Sequence, residues 1–161
     1  MRGYVVTAGE SETIGEVVTK LSKHRISGLP VVNSQEDLVG VISESDIIRR
    51  FTYLVTESTG RKLLSTLPES LDLLGVLRKT DHEKGEMVFT NLRETAVSEV
   101  MTRRVIAAEP DDTIQRIAEL MTTNNVNRVP IVEHGKLIGI VGRADIVKRV
   151  RSMDRTTAPK V

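Results

Sequence analysis

The chain has no cysteine, so disulfides, thiolate nucleophiles and cysteine metal sites are excluded together. It has no tryptophan, and its only aromatic residues are Tyr4, Phe51, Tyr53 and Phe89. The core must therefore be aliphatic, and the exposed rings of a base-stacking nucleic-acid platform are missing. Histidines stand only at His24, His82 and His134, too scattered to suggest zinc. No apolar run approaches the roughly 18 residues of a membrane span, and the N-terminus lacks the pattern of a signal peptide. Against 22 acidic residues stand 23 basic ones, a formal net charge of +1, so no global field draws polyanions. No Ser/His/Asp set, no paired-carboxylate pattern and no G-x-x-x-x-G-K-[ST] phosphate loop occurs. These absences point to a soluble, cytoplasmic protein that is no enzyme, holds no metal and meets no membrane. At 161 residues, 39% of them hydrophobic, it makes one globular domain or a tightly joined pair.

What the chain does have is a repeat. Residues Val5 to Val32 lie on Val105 to Val132 at an offset of 100, with Thr13-Ile14 on Thr113-Ile114 and Leu29-Pro30-Val31-Val32 on Val129-Pro130-Ile131-Val132. One residue is lost from a turn. Leu38-Val39-Gly40-Val41-Ile42 then meets Leu137-Ile138-Gly139-Ile140-Val141 at an offset of 99, and Asp46-Ile47-Ile48 meets Asp145-Ile146-Val147. A unit of about 45 residues buries too little surface to stand alone. The copies should pack on each other about a pseudo-two-fold, and such seams create ligand clefts.

Within each copy the periodicity predicts strand, helix, strand, strand, helix. Tyr4-Val5-Val6-Thr7 and Val105-Ile106-Ala107 read as short strands. Glu10 to Thr13 and Pro110 to Thr113 read as helix starts, followed at helical spacing by Ile14, Val17, Val18 and Leu21, or by Ile114, Ile117, Ala118 and Met121. Pro30 and Pro130 open the next strands, where a missing N–H does least harm. Leu38 to Ile42 and Leu137 to Val141 are nearly continuous in apolar residues, which predicts burial on both faces. Helices then start near Ser45 and Ala144. Residues 52 to 97 match nothing in the other copy. Leu63 to Leu77 suggest helix broken around Pro68, Thr80 to Glu86 an exposed loop, and Ser152 to Val161 a frayed tail.

The doubled order, with Gly28-Leu29-Pro30-Val31-Val32, Leu38 to Asp46, Arg128 to Val132 and Leu137 to Asp145, resembles the CBS (cystathionine beta-synthase-type) domain pair. Val97-Ser98-Glu99-Val100-Met101-Thr102 looks like the family's lead-in to a repeat. The resemblance implies an α/β (α+β) tandem pair, two pseudo-two-fold-related units with small sheets flanked by helices. The expected division is repeat 1 over 1–55 with its lead-in truncated, a partly helical insert over 56–96, repeat 2 over 97–152 and a flexible tail over 153–161. Family members bind adenosine-containing ligands between the repeats, commonly form flat homodimers and act on other proteins.

Asp46 and Asp145 each follow a buried strand at a helix start. A carboxylate there can take both hydroxyls of a cis-diol, the family's ribose contact, or simply stabilise the helix end. Ser43 is either the family's ribose or phosphate contact or an N-cap, with backbone N–H groups of Glu44 and Ser45 beside it. Arg128 occupies the place of a phosphate-binding arginine in nucleotide-sensing members, and guanidinium suits phosphate; read alone, it is a surface arginine. By resemblance, a primary cleft gathers Ser43, Glu44, Asp46, Thr102, Ala107, Arg128, Val129 and Pro130. A poorer one holds Thr7, Gly28, Pro30, Gly142, Arg143 and Asp145. Val6, Ile26, Leu29, Ile42, Val126, Val129 and Val141 either sandwich adenine or form core. The implied function is a regulatory module for AMP, ADP or ATP, with S-adenosylmethionine or NAD as further candidates, a homodimer as its assembly and an effector protein of unknown identity as its partner. Two other readings stand beside it. One is a dimeric scaffold with vestigial clefts. The other is a nucleic-acid-binding regulator using Arg143, Lys148, Arg149, Arg151 and Arg155, although Asp145 and Asp154 dilute that run.

Overall fold

The computed structural model describes residues 5–59 and 82–154. In chain order the elements are β1 (Ala8–Gly9), α1 (Ile14–His24), β2 (Gly28–Val32), β3 (Leu38–Ser43), α2 (Glu44–Thr59), α3 (His82–Glu94), α4 (Val97–Val100), α5 (Ile114–Asn124), β4 (Arg128–Glu133), β5 (Lys136–Gly142) and α6 (Arg143–Asp154). This is the mixed α/β tandem pair with small sheets that the repeat predicts.

Local chemistry is duplicated with the sequence. Thr13 caps α1 by accepting the Glu16 N–H, while the Glu16 carboxylate accepts the Thr13 N–H at 2.8 Å. The exchange satisfies amides that a helix start leaves orphaned, and it holds the Glu16 carboxyl below the usual carboxylate range. Thr113 caps α5 through the Arg116 N–H. Both helices end on a left-handed residue, Arg25 (φ 52°) and Asn125 (φ 51°), whose N–H closes the last turn. The hairpins share one register. Gly28 pairs with Ser43 and Arg128 with Gly142, and each carries an irregularity at the same step, Val31/Val32 and Ile131/Val132.

The first strand of each copy is shorter and later than the periodicity predicts. Val5 to Thr7 are not strand; pairing begins at Ala8, parallel to Val31, and its counterpart is a single bridge from Ala108 to Ile131. The small, buried Ala8 and Ala108 let the backbone approach there, while Tyr4 lies outside the described residues. His82 to Glu86 belong to α3 rather than to a loop. Their Glu and Lys are good helix formers, and the helix is held by Val88 and Leu92, which enter the core beside Phe51 and Val55. Phe51 and Phe89 stack with centroids 5.2 Å apart. The leucines from Leu63 to Leu77, Thr80 and Asp81 fall outside the described residues. At the other end α6 continues through Ser152 to Asp154, where a frayed tail was expected.

The two cores are unequal. Among the described residues the first gathers thirteen buried side chains and the second four, Ala108, Ile117, Met121 and Val129. Repeat 1 borrows its surplus: Val88 and Leu92 come from α3, Val97 from α4, and Met101 follows it. Ile14 is 1% exposed because its N–H bonds the Thr95 carbonyl under this cover, whereas Ile114 is 39% exposed, and Val18 also stays outside the core. For the same reason β5 is only half-buried along Leu137 to Val141, against the two-faced burial its apolar run predicts.

The lead-in to repeat 2 is stitched into repeat 1. Val97 N–H donates to the Glu12 carbonyl at 2.8 Å, Ser98 N–H to Glu10 at 3.0 Å, and Val41 and Thr102 exchange backbone bonds of 3.0 and 2.9 Å. The hairpin tips also meet. Gly135, at φ 81°, offers its carbonyl to the Leu38 N–H, and Lys136 Nζ lies 2.7 Å from Asp37 Oδ1. That lysine, with Asn33 behind it, holds the Asp37 carboxyl below the usual range.

Candidate functional site

Both halves place a helix N-terminus at the seam. Ser43 is the residue before α2, and Asp46 is the third residue of the helix. The Asp46 Oδ2 accepts the Ser43 N–H at 2.9 Å and the Ser43 hydroxyl at 2.7 Å. Its Oδ1 accepts the Thr102 hydroxyl at 3.0 Å and Arg49 Nη1 at 3.1 Å. The carboxylate is only 5% exposed. Ser43 and Asp46 thus form a cap, as the simpler reading of these residues has it. The Thr102 bond adds a tie across a sequence separation of 56.

From the other repeat, Arg128 enters at the start of β4 and its Nη1 donates to the Gly28 carbonyl at 3.0 Å. Around these groups lies a cleft of about 560 Å³, within the range that holds small ligands. Ser43, Glu44, Asp46, Thr102, Arg128 and Pro130 all line it. So do Arg49 and Arg104, which the sequence reading missed. Arg49 carried a faint signal, one helical turn beyond Asp46, with Lys148 as its counterpart. Arg104 carried none. Since Arg49 offsets Asp46, the remaining lining charges are Arg104 and Arg128 against Glu44, and the cleft is left positive.

Ala107 and Val129 do not reach this cleft. Neighbours alternate sides along an extended chain. Val129 is fully buried in the repeat-2 core between Arg128 and Pro130, and Ala107 is exposed beside the buried Ala108. The wall near them is made by Val105 and Ile106. Leu29, Ile42 and Val126 border the cleft while also packing in the cores, Leu29 and Ile42 almost fully buried, and Val141 packs on the repeat-2 core without bordering it.

A second cleft of about 430 Å³ brings together Gly28, Pro30, Gly142, Arg143 and Asp145, walled by Val5, Val6 and Ile26. Thr7 is not among its lining residues; its carbonyl accepts Lys20 Nζ at 2.9 Å. Asp145 accepts the Gly142 N–H at 2.9 Å but is exposed and lacks the hydroxyl bonds that Asp46 has. A larger groove of about 740 Å³ runs beside α2 and α3, where Glu86, Glu94 and Glu99 face Arg50, an unsuitable charge for an anion. Among the described residues no group of His, Asp or Glu is placed to hold a metal, and no helix is long and apolar enough to cross a membrane.

Two α/β units with the same order of elements, and clefts lined from both, define a tandem α/β pair. The chain belongs to the CBS domain family, whose model matches residues 1–53 and 97–152. It is similar to the uncharacterized Methanocaldococcus jannaschii protein MJ1426, 42% identical over 142 residues that cover 86% of this chain and 82% of the relative. Its fold matches the CBS domain of a CBS domain-containing membrane protein from Sphaerobacter thermophilus (TM-score 0.65, 31% identity, covering 91% of this chain and 82% of the other). It also matches CBSX2, solved in complex with AMP (TM-score 0.65, 21% identity, covering 94% and 90%). CBS pair proteins are regulatory modules.

Proposed function

We propose that this chain is a regulatory module that binds an adenosine-containing ligand in the cleft at α2, and passes its occupancy to a partner protein without chemistry of its own. The single observation that carries this reading is the convergence of Asp46 and Ser43 from repeat 1 with Arg128 from repeat 2 on one cleft of nucleotide size. A buried carboxylate suits a ribose diol, and a guanidinium suits phosphate. The positive lining favours AMP, ADP or ATP over the cationic S-adenosylmethionine, with NAD as a further candidate. The AMP complex of the similarly folded CBSX2 supports the choice of ligand class. Ile48 and Val147 stand at equivalent places on α2 and α6 and are 59% and 55% exposed, a face suited to a second copy in a homodimer. Ligand bound at the seam biases such an assembly only through different affinities for its two arrangements.

Calorimetric titration with AMP and ATP tests the site. Asp46→Asn and Arg128→Ala are each expected to weaken binding about tenfold or more, the scale of one lost charge-assisted bond. Unchanged affinity in both variants removes the proposed site. A thermal-shift panel covers the class, since a ligand at 100 times its Kd stabilises by about 2.7 kcal/mol. Silence across AMP, ATP, S-adenosylmethionine and NAD overturns the reading in favour of a scaffold.

A further inference from the structure

The two clefts are not separate rooms. Ser27, Gly28, Pro30, Asn127, Arg128 and Ile140 border both of them. The wall they share carries one charge, the Arg128 guanidinium. Its equivalent in the other repeat is Gly28, whose carbonyl is the acceptor that holds Arg128 across the seam. Each cleft has a helix N-terminus and an aspartate of its own, Asp46 at α2 and Asp145 at α6. The guanidinium between them is not duplicated. In the free protein it is held by a neutral carbonyl, and a phosphate on either side offers it a stronger, charge-assisted bond.

We propose that the two clefts compete for Arg128, so that a phosphorylated ligand in the α2 cleft lowers the affinity of the α6 cleft for a second one. This rests on the nucleotide-binding reading above and adds coupling within a single chain. The α2 cleft fills first because it is the larger and carries the Ser43 hydroxyl where the α6 cleft has Gly142. Linkage makes the penalty reciprocal, and repulsion between two phosphates across one wall acts in the same direction.

The test is AMP titration of a variant whose α2 cleft is blocked. Ser45 is exposed on the first turn of α2 and lines only the α2 cleft, so Ser45→Trp fills that space; Ser45→Phe serves as a second blocking variant. With the α2 cleft closed, the α6 cleft is expected to bind AMP about tenfold or more tighter than the second step of the unmodified protein. Adding Arg128→Ala to Ser45→Trp should cancel the gain. Adenosine, which has no phosphate, should show no gain at all. If the unmodified protein shows one step only, the blocked variant must reveal a measurable one. A second-step constant unchanged by blocking, or a blocked variant silent towards AMP while the unmodified protein binds it, overturns the sharing of Arg128 but leaves the binding reading intact. No AMP binding by the unmodified protein overturns both.

Discussion

An alanine at Gly40 would place its methyl carbon 2.7 Å from Met101 Sδ, 3.2 Å from Met101 Cγ and 3.1 Å from the Thr102 carbonyl oxygen. Carbon contacts are comfortable at about 3.5–4.0 Å, so several tenths of an ångström must be found on two sides at once. The methionine end is flexible, but Met101 is 8% exposed and has core on its other faces. The Thr102 carbonyl is pinned by the Val41 N–H at 3.0 Å. Overpacking of this kind costs about 1–3 kcal/mol. Gly139 occupies the same place in β5, where a methyl would sit 3.8 Å from the nearest Ile131 atoms, an ordinary contact. There alanine removes only unfolded-chain freedom, and a gain of up to about 1 kcal/mol is expected. Urea unfolding of Gly40→Ala and Gly139→Ala measures the difference, and for a chain of this size about 2–4 °C of Tm accompanies each kcal/mol. Equal shifts in the two variants, or an unchanged Gly40→Ala, would refute the claim that the repeat-2 lead-in lies on β3 in this way.

Four further outcomes follow from the same geometry. The Asp37 carboxyl is held low by Lys136 and then by Asn33, so its contribution is present above the unfolded carboxylate value near 4 and is lost as pH falls through the folded one. Thermal melts of Asp37→Asn and the unmodified protein, taken downward from about pH 6, should differ most at the upper end and draw together as the pH falls below the unfolded carboxylate value. Asp46→Ala leaves the hydroxyls of Ser43 and Thr102 without their acceptor and should cost about 2–3 kcal/mol by urea unfolding, against less than about 1 kcal/mol for the exposed Asp145→Ala. Thr13→Ala removes the cap of α1 and should cost about 1 kcal/mol in the same assay. In hydrogen exchange, the amides of β4 and β5 should open before those of β2 and β3, because four buried side chains hold the former and thirteen the latter.

Much of the fold was legible because the chain states it twice. The offsets of 100 and 99 placed Thr13 with Thr113 and Gly28 with Arg128, and the caps and hairpin registers repeat at those positions. What repetition could not show was where the copies differ in their surroundings. Ile14 and Ile114 look alike in sequence, yet one is covered by the Thr95 segment and the other is open. Polar composition concealed the start of α3, whose hold on the molecule comes from Val88 and Leu92 further along. At the cleft, residue type marked Asp46, Ser43 and Arg128 as candidates, and the structure draws them to one hollow. Strand alternation then turned Val129 away from it, a one-residue effect that a motif match does not resolve. Arg49 and Arg104 escaped notice because an exposed arginine has no signature until something is seen opposite it.

The way Val97 and Met101 fill the first core separates two boundaries that are easily taken for one. By sequence they open the second repeat; by packing they close the first. A fragment cut at the end of repeat 1 would lack part of its own interior, and the fragment left behind would carry that part bare into solvent.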